Sequence, residues 1–117
     1  MDRRVIDLYG MSEGKIEQVA SLLTQAAGLL FQRHSSEVWG DYYRVRSPGS
    51  REKINLKENY NPIDGELTYP EYRTYPLVIE VVVESIARSR EIEKRILSAP
   101  GIKAVLLNRR EYPKQVK

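Results

Sequence analysis

The residues that could carry out chemistry are few. His34 is the single histidine and cysteine is absent, so Ser–His–Asp and Cys–His constellations reduce to one side chain, and thiolate metal sites and disulfides are excluded. His34 sits in Gln32-Arg33-His34-Ser35-Ser36 and reads as the exposed end of a long helix, where a cation is favoured, rather than as a catalytic base. Carboxylates come close in sequence as Glu58 with Asp64 and Glu66 with Glu71, residue types that do acid–base work or hold magnesium when they converge in a cleft. Lying in one polar segment, they read instead as a solvated acidic loop. The seven glycines are scattered, with neither GxGxxG nor GxxxxGK[ST] among them, so no phosphate-cradling loop is expected. The expectation is a non-enzyme with no catalytic residue, no metal and no cofactor.

Binding chemistry is better represented. Eight tyrosines stand against one phenylalanine. A buried phenol must find a hydrogen-bond partner, so repeated choice of Tyr points to rings half packed and half wet. Tyr60, Tyr69, Tyr72 and Tyr75 fall within residues 58–76, interleaved with Glu58, Asp64, Glu66 and Glu71. Tyrosine is enriched at protein interfaces, and carboxylates beside it would steer a basic partner. These eight residues are the candidate partner-binding set. The alternative is that the rings simply pack the loop onto the body of the protein.

The formal net charge is +3. The excess lies in the last strand and tail, where Lys103, Arg109, Arg110, Lys114 and Lys117 face Glu111 alone, while the 58–76 loop is acidic. Stacked nucleic-acid binding requires cations beside the rings, which Tyr42-Tyr43-Arg44-Val45-Arg46 offers and the loop does not. Lys103-Ala104-Val105-Leu106-Leu107 lacks the aromatic signature of an RRM strand.

The elements that must position these residues follow from pattern. With 117 residues, 41% hydrophobic and 30% charged, the chain has the composition of one globular domain, 1–117. A strand from Arg3 ends at Gly10, with Val5, Asp7 and Tyr9 on one face and Ile6 and Leu8 on the other. Ser12 then caps a helix over about 12–33, its stripe running Ile16, Val19, Ala20, Leu23, Ala26, Ala27 and Leu30. Residues 37–46 and 52–57 read as a hairpin about Ser47-Pro48-Gly49-Ser50, with Trp39, Tyr43 and Val45 on the buried side. Pro62, Pro70, Pro76 and Asp64-Gly65 break any period across 58–76, and a loop this long in a small domain is usually functional. Leu77–Val83, apolar at nearly every position, reads as a central strand. Ser85 or Ser89 caps a second helix with Ile86, Ile92, Ile96 and Leu97 inward and the pairs Glu84–Arg88 and Glu91–Arg95 outward. Ala99-Pro100-Gly101 stops it, residues 102–108 form the last strand, and 109–117 trail away as a basic tail. The order βαβββαβ predicts an α+β two-layer sandwich, a mostly antiparallel sheet with two helices on one face, as a ferredoxin-like variant with one strand too many.

In Trp39-Gly40-Asp41-Tyr42-Tyr43, in Asn59-Tyr60-Asn61-Pro62 through Asp64-Gly65-Glu66, in Pro70-Glu71-Tyr72, and in the closing helix and Val105-Leu106-Leu107, the chain resembles the small cytoplasmic immunity proteins of bacterial polymorphic toxin systems, contact-dependent growth inhibition among them. The resemblance covers roughly residues 38–108 and is one of sequence style. It implies a single domain without catalytic motifs that binds one cognate toxin domain, of nuclease type, and occludes its active site. One departure is the net positive charge, since antinuclease immunity proteins tend to be acidic. No stretch of about 18 apolar residues is present, and Asp2 and Asp7 interrupt any signal-peptide core, so a cytoplasmic location with no membrane partner is expected, while the acidic loop disfavours nucleic acid as a partner. Two rival functions stay open: a ferredoxin-like regulatory module holding a small ligand, predicted to dimerise, and a nucleic-acid binder using Tyr42, Arg44, Arg46 and the basic tail.

Overall fold

Six segments pair into one sheet in the computed structural model, which describes residues 4–37, 40–45, 51–61 and 63–112. The elements in chain order are β1 (Arg4–Met11), α1 (Ile16–Ala27), β2 (Phe31–Ser36), β3 (Gly40–Val45), β4 (Lys53–Glu58), a 3₁₀ turn (Pro70–Tyr72), β5 (Leu77–Val83), α2 (Ile86–Leu97) and β6 (Ala104–Tyr112). The strands lie side by side as β2-β3-β4-β5-β1-β6, each neighbour pair antiparallel. The architecture is therefore α+β, with both helices on one face.

Register explains which residues meet. Val5 opposes Val83 and Tyr9 opposes Ile79 across β1 and β5, while Ile54 opposes Val81 across β4 and β5. With Leu56 and Leu77 these side chains point to the helices and pack with Val19 and Leu23 of α1 and Ile92 and Ile96 of α2 in one core. The other face of the three central strands carries Ile6, Leu8, Gly10, Asn55, Lys57, Val78, Glu80 and Val82. Val78 is wholly buried there, so β5 is covered from both sides as its near-continuous apolar run predicts.

Several expectations are corrected. α1 stops at Ala27, not near 33, because Gly28 adopts φ 69°, a left-handed conformation that ends the turn with its N–H on the Leu23 carbonyl. The apolar stripe ran on through Leu29 and Leu30, but Leu29 turns into the core while Leu30 is exposed. The Thr24 hydroxyl accepts from the Phe31 N–H, and Phe31–Ser36 becomes a sixth strand. His34 thus belongs to an edge strand and not to a helix end. α1 begins at Ile16 after Lys15, without a side-chain cap from Ser12. In α2 the Ser85 hydroxyl accepts from the Arg88 N–H, whereas Ser89 is buried and Leu97 is exposed. Arg88 pairs with Glu52 and Glu91 rather than with Glu84, while Glu91 does pair with Arg95.

β6 also runs past its expected end at 108. Arg109 Nε donates to Asp7 Oδ1 at 2.8 Å, and its second arm reaches Glu93 at 2.7 Å, so this arginine is a rivet between β1, β6 and α2 rather than part of a tail. Tyr43 and Val45 pack against the core as predicted. Trp39, Arg46, the 47–50 turn, Pro62, Lys114 and Lys117 lie outside the described residues. No helix among the described residues is long and apolar enough to cross a membrane.

Candidate functional site

The loop between β4 and β5 is organised by one buried amide. Asn59 follows β4 directly and is 1% exposed. Its Nδ2 group donates to the carbonyls of Tyr69 (3.3 Å), Tyr72 (3.1 Å) and Tyr75 (3.1 Å). Its Oδ1 accepts from the Tyr69 N–H at 2.8 Å, and its own N–H donates to Pro76 O at 2.8 Å. A single side chain therefore satisfies several backbone groups that a long connection would otherwise leave to water. Pro70 at the start of the 3₁₀ turn, with the Tyr72 N–H on Tyr69 O and the Tyr75 N–H on Tyr72 O, tightens the same stretch.

Beyond Asn59 the loop projects a second, smaller turn. The Asn61 N–H donates to Glu66 O and the Gly65 N–H to Asn61 O, both at 2.7 Å. Asn61 Oδ1 accepts from the Ile63 N–H and Asp64 Oδ1 from the Glu66 N–H, each at 2.9 Å. These Asx-type bonds fix a tip that nonetheless displays apolar side chains: Tyr60 is 42%, Ile63 69% and Leu67 38% exposed. Asp64 and Glu66 stand exposed among them.

Tyr69, Tyr72 and Tyr75 are half-buried and turn back onto the sheet face opposite the helices. The Tyr69 hydroxyl donates to Glu80, which also pairs with buried Lys57 at 3.1 Å. Burial, and after it the Glu80 carboxylate, hold the Tyr69 pKa well above the ordinary tyrosine value. The Tyr75 ring lies on Gly10 of β1, where a Cβ would stand 2.7 Å from Tyr75 Cγ and 2.7 Å from Leu107 Cδ1. Gly10 therefore serves close approach inside β1 rather than ending the strand.

The eight predicted partner-binding residues thus divide. Tyr60, Asp64 and Glu66 share the tip; Tyr69, Glu71 and Tyr72 line a cavity between loop and sheet; Tyr75 lies beneath the loop. Glu58, opposite Leu77 in register, belongs to the helix-bearing face and is not brought to the others. The residues that sequence reasoning missed are Asn59, Ile63 and Leu67, and the only available sign was two aliphatic residues in an otherwise polar, proline-rich stretch.

The cavity has a volume of about 370 Å³. Ile6, Leu8 and Val82 form its apolar floor, with Tyr112, Asn108 and Arg110 of β6 completing the wall. Farther along the same face His34 stacks on Tyr42, ring centroids 5.5 Å apart, and the Arg44 guanidinium lies 5.6 Å from the Tyr42 centroid. Arg44 is held there by Asn55, whose Oδ1 accepts from its Nε at 2.8 Å. Among the described residues no group of three or more His, Asp or Glu side chains is placed to hold a metal ion. Comparison of the chain with protein-family models and with curated proteins gives no match.

Proposed function

We propose that this protein is a non-catalytic immunity protein that binds a cognate bacterial toxin domain, of nuclease type, in the cytoplasm and occludes its active site. The observation that carries the reading is the preorganised loop tip. Tyr60, Ile63 and Leu67 are held exposed on a segment whose backbone is already tied down through Asn59, Asn61 and Asp64. Exposed apolar side chains on one short turn with carboxylates beside them in sequence suit a docking site, and prior ordering removes much of the entropic cost of binding. Asp64 and Glu66 supply charge complementary to the basic cleft of an enzyme that handles nucleic acid. This local acidity reconciles the reading with a net charge of +3. We read the sheet as a ferredoxin-like plan, supported by the neighbour order β4-β5-β1-β6, to which the β2–β3 hairpin is added at one side.

The test is to sequence the reading frame immediately upstream of this chain, where a toxin domain is expected, and to measure survival and binding with it. Co-production should restore growth, and the purified domains should form a complex. Replacing Ile63 and Leu67 together by Asp should weaken that complex at least about a hundredfold, the scale of two interface hot spots. Arg90→Ala, on the exposed side of α2, should leave it unchanged. A toxin that stays lethal beside this chain overturns the function. A complex indifferent to both tip substitutions overturns the site.

The cavity favours a second reading, a regulatory module that holds a small ligand, because its volume falls in the range of small-molecule sites.

A further inference from the structure

The cavity between sheet and loop carries an unmatched pair of charges. Glu71 and Arg110 line it from opposite sides, one on the 3₁₀ turn and the other on β6, and neither forms an ion pair with a described residue. They lie within electrostatic reach of each other without touching: Tyr112 foremost, then Tyr72 and Glu71, hold the Arg110 pKa above the ordinary arginine value. Of the other two carboxylates of the lining, Glu80 is engaged by Lys57 and the Tyr69 hydroxyl, and Asp7 by Arg109 and the Ser89 hydroxyl. What is left is the Glu71 carboxylate and the Arg110 guanidinium, neither in an ion pair among the described residues and the latter leaning on the Tyr112 phenol, above an apolar floor of Ile6, Leu8 and Val82.

We propose that this cavity binds a free α-amino acid with an apolar side chain, as its zwitterion. The ammonium would meet Glu71, the carboxylate would meet Arg110, and the side chain would lie on the floor beneath the Tyr69 and Tyr72 rings. A neutral apolar compound would leave both charges unserved. A simple anion or cation would satisfy one and be opposed by the other. At about 370 Å³ the space suits a molecule of this size and not a folded segment. The proposal concerns the cavity and stands independently of docking at the loop tip.

Calorimetry and two-dimensional NMR on the full chain test it, with L-leucine and L-phenylalanine as probes beside leucinamide and N-acetyl-leucine. Both amino acids should bind saturably at one site and shift the methyl resonances of Ile6, Leu8 and Val82. Each capped compound should bind at least about tenfold more weakly, the loss expected when one charge-assisted hydrogen bond is removed. Arg110→Gln should abolish the preference for leucine over leucinamide, and Glu71→Gln the preference over N-acetyl-leucine. Both residues are exposed enough for the fold to tolerate the change, and Val82→Phe should fill the floor and remove binding. Absence of binding at millimolar amino acid overturns the proposal. So does equal binding of the capped compounds, or affinity indifferent to both charge substitutions.

Discussion

Asn59 concentrates the organisation of the loop between β4 and β5 in a single side chain. Its amide group makes four hydrogen bonds to backbone atoms of Tyr69, Tyr72 and Tyr75 while being 1% exposed. Asn59→Ala leaves those buried groups unpaired, and each unsatisfied group costs about 1–3 kcal/mol, offset in part as water enters. We expect a net loss of about 2–3 kcal/mol in unfolding free energy, read from denaturant titration. Limited proteolysis should then cut within 60–76 faster than in the unsubstituted chain. This residue was invisible in the sequence because an asparagine after a strand is an ordinary turn former, and nothing local says that its partners lie ten to sixteen residues on. The tyrosines were legible for a chemical reason. The amphipathic ring was read as half wet, and apart from fully buried Tyr9 every tyrosine keeps contact with water.

Two attachments join the elements into a unit, and each makes a prediction. The loop is seated on β1 and β6 through Tyr75 and Leu107 over Gly10, where an added Cβ would approach both at 2.7 Å. Gly10→Ala should cost about 1–3 kcal/mol by overpacking. Combined with Tyr75→Ala it should cost less than the sum, because the obstructing ring is gone, and a double-mutant cycle in urea reads the difference. β6 is riveted by Arg109 to Asp7, which is fully buried and also accepts from the Ser89 hydroxyl. Arg109→Ala strands that carboxylate and should destabilise by about 3–5 kcal/mol, whereas Asp7→Leu with Arg109→Met should be near neutral. Chemical unfolding of the single and double variants checks this. Element by element, β4 and α2 were readable from their periods, and β1 and β5 from short apolar runs bounded by turn residues. The end of α1 was not: Leu29 and Leu30 continue the apolar spacing, and only the left-handed φ of Gly28 breaks it. The extent of β6 was equally hidden, since Arg109 is a strand residue by virtue of Asp7, 102 positions earlier.

For the molecule as a whole, two phenols bind their protons more tightly when the chain is folded. Tyr9 is raised by burial first, then by the nearby Asp7 and Glu93 carboxylates, with Arg109 opposing; Tyr69 is raised by burial and then by Glu80. Unfolding returns both to the ordinary tyrosine value of 10.0. Below that value both states hold the protons and the stability is present in full. As pH climbs above it the unfolded chain ionises while the folded one does not, so stability is lost progressively toward the folded pKa values. The denaturant midpoint should therefore fall steeply above about pH 10. Tyr9→Phe and Tyr69→Phe should each remove one proton from the release and flatten the fall. They should differ at neutral pH, because the buried Tyr9 hydroxyl has no well-formed hydrogen bond among the described residues, only the nearby Arg109 guanidinium. Removing that hydroxyl should leave stability unchanged or raise it by about 1 kcal/mol, while Tyr69→Phe gives up the bond to Glu80 and frees the loop's hold on the sheet. A titration in which the two variants behave alike at both neutral and alkaline pH would contradict the separation of core and loop on the two faces of this sheet.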